Sequence, residues 1–248
     1  MAKTHQENDP VKNTTPQISP QILSLCHSST DPWGIKDLDS RYLYGNSAYF
    51  ELLNLPARFD IEGLLDDEIP HPIHQFANDF REQDRQVQQS LKNISALDIH
   101  PYGRRKECQP YVFDKYPFYD QNGNCVGTIF HAKKLRFYSP MSCVQGKLPS
   151  SLLLSPPSGL FTRKELDVVF YTLQSFSAKR IAKKLNLAHR TIENRLQDIY
   201  RKSDVNSSSA FKDFCQAKGF DKYVPVRLLS PSSSIISDVV DYDCGEKE

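Results

Sequence analysis

Between Ser177 and Ser203 the chain carries two short amphipathic patterns separated by a break, an arrangement that few folds accommodate. Ile181, Ala182 and Leu185 form one apolar stripe, Asn186 interrupts it, and Ile192, Leu196 and Ile199 form the next. The i, i+4, i+7 spacing of the second stripe places its members on one helix face. That helix is expected from about His189 to Ser203. Its opposite face presents Arg190, Glu193, Asn194, Gln197 and Arg201, long polar side chains able to reach base edges and phosphates. Two helices joined by a tight turn, the second polar on its outer side, predict a helix–turn–helix whose second helix enters the major groove. On this projection Glu193, Asn194 and Gln197 are candidate base readers. Lys179, Arg190, Thr191 and Lys202, near the helix ends, are candidate contacts to the DNA backbone. The two amides suit an adenine edge, and Glu193 can accept from a cytosine amino group while its charge repels phosphate. Taken alone, the same face also fits an ordinary solvated helix.

Charge favours the first reading. The net charge is only +1, but residues 160–220 hold 12 Lys/Arg against 6 Asp/Glu, while residues 21–137 hold 13 against 16. The cationic excess lies where a polyanion is expected to bind.

The flanks complete a small all-α bundle. Thr162 and Glu165 have capping-box spacing and open a first helix carrying Val168, Val169 and Leu173. A fourth helix, about Ser207 to Lys218, has Phe211, Phe214 and Cys215 on one side. Phe161–Thr162–Arg163–Lys164–Glu165, Ser177-x-Lys179-x-Ile181–Ala182, Arg190–Thr191–Ile192–Glu193–Asn194 and Ile199-x-Arg201–Lys202 together resemble the LuxR-type (GerE/FixJ) DNA-binding domain over roughly 60 residues. The resemblance implies that the positions of Glu193, Asn194 and Gln197 face the groove and that the fourth helix supports dimerisation. Three departures bear on affinity and target: Ser175 stands where the family usually has Gly, Ala188 where a Ser caps the recognition helix, and Arg195 where His is common. An alanine leaves an orphan N–H at the helix start without its partner.

Upstream, the pattern changes from helical to alternating. Trp33 to Tyr44 reads as a hairpin turning at Asp37–Arg41, Asn46 as the cap of a short helix, and Phe76 to Lys92 as a longer helix with Phe76, Phe80 and Val87 on one face. Ile94–His100, Glu107–Pro117 and Val126–Ala132 read as strands, with the Asn122–Gly123–Asn124 turn before the last. The order β-β-α-α-β-β-β predicts an antiparallel sheet with helices on one face. This stretch resembles a PAS domain, through Lys36–Asp37–Leu38–Asp39–Ser40–Arg41, Asn46-x-Ala48–Tyr49, Asp79–Phe80–Arg81–Glu82–Gln83–Asp84 and Phe118–Tyr119–Asp120-x-x-Gly123-x-x-x-Gly127. Such domains sense small molecules, redox state or light, or serve only to dimerise, and all of these stay open.

The fold class is thus α+β: a PAS-like antiparallel sheet with helices, then a LuxR-type helical bundle. The expected boundaries are a disordered arm at 1–20, the sensor or dimerisation domain at 21–137, a Pro- and Ser-rich linker at 138–158, the DNA-binding domain at 159–220 and a mobile tail at 221–248. No apolar run approaches the roughly 18 residues of a membrane span, and no signal-peptide pattern opens the chain, so a cytoplasmic setting is expected.

Other chemistry is thinly represented. His71, His74, His100 and His131 make no complete ligand set, and His71-x-x-His74 lies between prolines rather than on a helix face. Cys26, Cys108, Cys125 and Cys143 form no C-x-x-C pair and fit apolar packing better than redox sensing. Asp37 and Asp39 flank a turn, and Asp66–Asp67–Glu68 reads as a solvated loop. No nucleophilic triad, phosphate loop or zinc-protease motif occurs, so catalysis is not expected. A phosphoacceptor receiver would need a βα repeat, and an acyl-homoserine-lactone receptor several Trp, where only Trp33 occurs. The cofactor stays open. The leading reading is a bacterial one-component transcriptional regulator, homodimeric, binding double-stranded promoter DNA, with a small-molecule ligand in the PAS domain and, if it activates, RNA polymerase as partner. The alternative is a PAS-based sensor or interaction module whose helix–turn–helix no longer binds DNA.

Overall fold

The computed structural model describes residues 16–56, 58–137 and 150–236. Helix α1 (Pro20–Ser28) starts where Ser19 accepts a hydrogen bond from the Ile22 N–H and Pro20 takes the first helical position, where its missing donor costs nothing. Strands β1 (Trp33–Asp37) and β2 (Tyr42–Gly45) form the expected hairpin, with Ile35 opposite Tyr44. Its turn is held by Asp37, whose Oδ1 accepts from the Asp39 and Arg41 N–H groups. Asn46 caps α2 (Ser47–Leu52), accepting from the Tyr49 N–H while its amide donates to the Cys26 and Asp31 carbonyls. Two 3-10 turns, Asp66–Glu68 and Pro72–Phe76, lead into α3 (Ala77–Ser90).

Strands β3 (Ile94–Tyr102), β4 (Glu107–Tyr119) and β5 (Cys125–Lys134) follow. The sheet order is β2-β1-β5-β4-β3 with a sixth strand, β8 (Ser232–Ile236), beyond β3, and β1 pairs antiparallel with β5 so that Ile35 faces Ile129. Alternation along β3 buries Ala96, Asp98, His100 and Tyr102 in turn, as the period of a strand requires. Helix α3 buries Phe80, Gln83, Asp84 and Val87, one stripe at helical spacing.

The tail departs from expectation. Residues 221–236 were expected to be mobile, yet a 3-10 turn at Phe220–Lys222 buries Phe220, Tyr223 is buried beyond it, and β8 (Ser232–Ile236) adds a sixth strand at the sheet edge. Ser232–Ser234 carry no branched or aromatic side chain, and Ile235–Ile236 alone are too short a run to announce a strand; the pairing comes from a free edge provided by β3, more than a hundred residues away. The described part of the expected linker is also paired. Short strands β6 (Arg136–Phe137) and β7 (Ser150–Ser151) form a two-stranded sheet, and Leu153 bridges Tyr223. Residues 1–15, 138–149 and 237–248, which include parts of the expected arm, linker and tail, lie outside the described residues.

The remaining helices are α4 (Arg163–Leu173), α5 (Ala178–Leu185), α6 (His189–Ser203) and α7 (Ser208–Lys218). They close on a core of Leu166, Val168, Val169, Ile181, Ile192, Ile199 and Phe211, with Phe161, Phe220 and Tyr223 sealing one end. The chain divides into two compact units, one of Met1–Ala96, Phe113–Ala132 and Ser233–Glu248, the other of Leu97–Val112 and Lys133–Ser232.

Candidate functional site

The helix pair α5–α6 is built as its spacing predicts. Ser177 caps α5 by accepting from the Arg180 N–H. Asn186 ends the helix in the left-handed region at φ 52°, a conformation asparagine tolerates better than most residues, and Leu187 donates back to the Ala182 carbonyl at 2.9 Å. Three residues therefore connect α5 to α6. Ile181, Ala182, Ile192 and Ile199 are buried, with Leu185 and Leu196 packed against them.

On α6, Glu193, Asn194 and Gln197 are all exposed, and Arg190 and Thr191 sit in the first turn, Arg190 exposed and Thr191 half-buried. Lys179 is exposed in the first turn of α5. The structure thus brings the three candidate readers onto one outward face. Glu193 Oε2 lies 3.6 Å from His189 Nδ1, one turn back. Lys202 differs from the others. Its Nζ lies 2.8 Å from both Glu165 carboxylate oxygens, so its charge ties α6 to α4 instead of standing free for phosphate. Burial pushes the Glu165 carboxyl up, but hydrogen bonds from Lys202 and Thr162 more than offset this and hold it below its ordinary value.

Two departures noted in the sequence have visible consequences. Ser175 adopts φ 61°, so a residue with a side chain takes the left-handed conformation that glycine adopts without steric cost. Ala188 has the extended N-cap backbone, φ −68° and ψ 145°, but offers no side-chain acceptor to α6. Sequence reasoning missed Arg180, whose guanidinium lies over the Phe176 ring at 4.0 Å, exposed beside Lys179. The apolar residue four positions before an arginine was the available signal.

The sensor half holds a second constellation. Lys36 of β1 lies 2.6 Å from Asp66 and 3.4 Å from Asp84, and Lys115 of β4 lies 2.6 Å from Asp84. All four are nearly excluded from water. Asp66 also accepts from the Tyr42 hydroxyl at 2.7 Å, and that hydroxyl is 2.6 Å from the Tyr49 hydroxyl. The reading of residues 66–68 as a solvated loop is therefore wrong at Asp66: one acid of the run points inward because Lys36 needs a counter-ion there. Aromatic rings surround the cluster, with Lys36 4.6 Å from the Tyr42 ring centre and 5.9 Å from that of Phe130, Phe113 packed on Phe130, and Lys115 5.8 Å from the Phe80 ring. Two positive and two negative groups balance, as burial demands. Burial alone would lower the Lys36 ammonium, but Asp66 and Asp84 hold it above its ordinary value. Asp84 is held below its own by Lys115 and Lys36, against the upward push of burial. Tyr42 is raised well above the usual phenol, by burial first and by the Asp66 charge second. The result is a charge-balanced network enclosed by aromatic rings, which joins β1, β4, α3 and the Asp66–Glu68 turn.

The histidines are structural in their contacts. His71 Nδ1 accepts from the Ile73 N–H, His131 stacks on Trp33 at 4.6 Å, and His100 is buried edge-on to Tyr102. Cys26 and Cys215 are fully buried, and burial drives the Cys215 thiol to about 12. Cys108 and Cys125 are half-buried, and Cys143 lies outside the described residues.

Comparison with known proteins follows the same division. Residues 26–136 match the PAS fold family, and residues 160–212 match the bacterial regulatory proteins of the luxR family. No curated protein sequence matches significantly. Among solved structures, the chain is similar to phage VqmA in its DPO complex, at 30% identity over 88% of this chain and 95% of that one, with a TM-score of 0.63. It is similar to the VqmA of Vibrio cholera in a ligand–DNA complex, at 28% identity over 90% of this chain and 99% of that one, with a TM-score of 0.69.

Proposed function

This chain belongs to the LuxR-type regulators that carry a PAS fold, the family of VqmA, and from that premise we propose that it is a ligand-responsive dimer that binds promoter DNA through α6. The observation that carries the reading is the outward row Glu193, Asn194 and Gln197 on a helix whose inner row is fully packed. Asn194 and Gln197 read base edges, Glu193 excludes wrong bases, and Lys179, Arg190 and Thr191 hold phosphates. Lys202 acts indirectly, by fixing α6 against α4. A dimer follows because one such module spans a single half-site.

The functional boundaries are taken as 21–137 for the sensor and 159–220 for the DNA-binding domain. The sensor takes a small molecule within its PAS fold, and the DPO held by phage VqmA is the first compound to try. The protein works without catalysis and in the cytoplasm; among the described residues no helix is long and apolar enough to cross a membrane.

The test is selection of a binding site from randomised duplex DNA by the purified full chain, followed by titration with and without DPO. Enrichment of a two-fold motif bound more weakly at higher salt is the expected result. If no duplex is retained at any salt concentration, the chain is a sensor whose helix–turn–helix has lost its DNA. If DNA binds but DPO changes neither affinity nor melting temperature, the ligand assignment alone falls.

A further inference from the structure

The sensor half is far more polarised than its net charge suggests. Residues 97–112 and 133–137 hold six Lys/Arg against two Asp/Glu, one of which, Asp98, is buried. The rest of the half, residues 21–96 and 113–132, holds 7 Lys/Arg against 14 Asp/Glu. A mild average of −3 therefore conceals a strongly acidic body and a basic end.

The basic end is one place in the fold. Arg104, Arg105 and Lys106 are consecutive and exposed in the turn between β3 and β4. That turn is fixed, with Lys106 N–H donating to the Gly103 carbonyl at 3.1 Å and both residues in the left-handed region. Lys133, Lys134 and Arg136 are exposed where β5 ends and β6 begins. The Leu135 N–H donates to the Pro110 carbonyl at 3.2 Å, which runs this segment beside the start of β4, next to the turn. Six cations thus share one end of the sheet. Six like charges held together repel one another, and Glu107 is the one exposed or half-buried acid within the two segments.

We propose that this end of the sheet is a second DNA contact surface, recognising backbone phosphates without reading sequence. The inference rests on the DNA-binding function proposed above. DNA is favoured over other polyanions because residues 97–112 and 133–136 fall in the same compact unit as α4–α7. Duplex held by α6 is therefore the polyanion most often present in that unit's vicinity. Arginine and lysine on a rigid turn suit phosphate oxygens, and a surface of this kind adds affinity and salt dependence without specificity.

The experiment compares the full-length wild type with R104Q/R105Q/K106Q and K133Q/K134Q/R136Q. Each is titrated onto the selected site and onto scrambled duplex over a salt series, and onto vesicles containing phosphatidylserine. All six side chains are exposed, and an unchanged melting temperature confirms that each variant folds. Each lost phosphate contact should flatten the slope of log affinity against log salt by about 0.9, or roughly three- to fourfold in affinity over a fourfold salt change. The loss should be equal on selected and scrambled DNA. Wild-type slopes in both variants overturn the proposal while leaving the α6 assignment intact. Loss of vesicle binding with DNA binding unchanged also overturns it. A wild type that binds no DNA refutes the α6 reading first, and this one with it.

Discussion

Lys202 Nζ sits 2.8 Å from both carboxylate oxygens of Glu165, a residue 37 positions earlier that also closes the capping box of α4 by accepting from the Thr162 N–H. One carboxylate therefore starts the first helix of the bundle and anchors the end of the recognition helix. Glu165→Ala should cost about 1–3 kcal/mol, combining a lost cap with a lost charge-assisted hydrogen bond. Glu165→Gln, which retains the cap geometry, should cost less. Urea unfolding of the full chain, followed by helical circular dichroism, measures both. A Gln variant as stable as the wild type would mean that the charge pair with Lys202 contributes nothing, and equal costs for the two variants would mean that the cap contributes nothing.

The sensor core should be far less forgiving. Asp84 is the shared counter-ion of Lys36 and Lys115, at 3.4 and 2.6 Å. Asp84→Asn leaves two buried ammonium groups with Asp66 as their remaining carboxylate, and breaking a buried pair in this way costs about 3–5 kcal/mol. Adding Lys115→Met restores the balance and should recover part of the loss. A double variant no more stable than Asp84→Asn alone would show that the charges are not coupled.

The same groups set a pH window. Asp84 and Glu165 are both held below their ordinary values of 3.8 and 4.5, so their stabilisation is present above those values and disappears as pH falls through the lower folded ones. Lys36 and Tyr42 are raised above 10.5 and 10.0, so theirs is complete below those values and disappears as pH rises through the folded ones. From these groups, stability should be flat between about 4.5 and 10 and should fall on both sides. Urea midpoints across a pH series test this, and a maximum confined near neutrality would contradict it.

What was legible in the sequence was local. The Asn46 cap, the Thr162–Glu165 box and the α6 stripe lie within a few residues of their partners, so spacing alone reveals them. The sensor cluster is not local, since Lys36 meets Asp66 and Asp84 across 30 and 48 residues. Nothing in the run Asp66–Asp67–Glu68 marks which acid turns inward; the sheet and the two 3-10 turns decide that. The Lys202–Glu165 pair was hidden for the same reason, because its two members lie 37 residues apart on different helices. Strand β8 escaped notice because edge pairing depends on a free edge more than on the residues that fill it.

The bare N-cap of α6 offers a stabilising change. Ala188 already has the extended backbone that capping residues adopt, and the Thr191 N–H, which donates to the Ala188 carbonyl at 3.0 Å, is the donor that a side-chain cap would share. Ala188→Ser should raise stability by about 0.5–2 kcal/mol. A thermal melt of the full chain reads this directly, and an unchanged midpoint would mean that the Thr191 N–H gains nothing beyond the bond it already makes to the Ala188 carbonyl.

The last prediction separates reading from holding. Asn194 and Gln197 share the outward face of α6, and Lys179 and Arg190 stand in the first turns of the two helices. An amide that pairs with one base edge contributes only where that base is present, whereas a cation on phosphate contributes everywhere. Asn194→Ala or Gln197→Ala should therefore cost about 1–3 kcal/mol on the selected site and flatten the preference at one or two base pairs. Lys179→Ala or Arg190→Ala should weaken binding to every sequence alike and lower the salt slope by about one unit each. The two classes separate in a single experiment, a titration over a salt series on selected and scrambled duplex. If the amide variants lose as much on scrambled DNA as on the selected site, α6 lies against the backbone and another surface reads the bases.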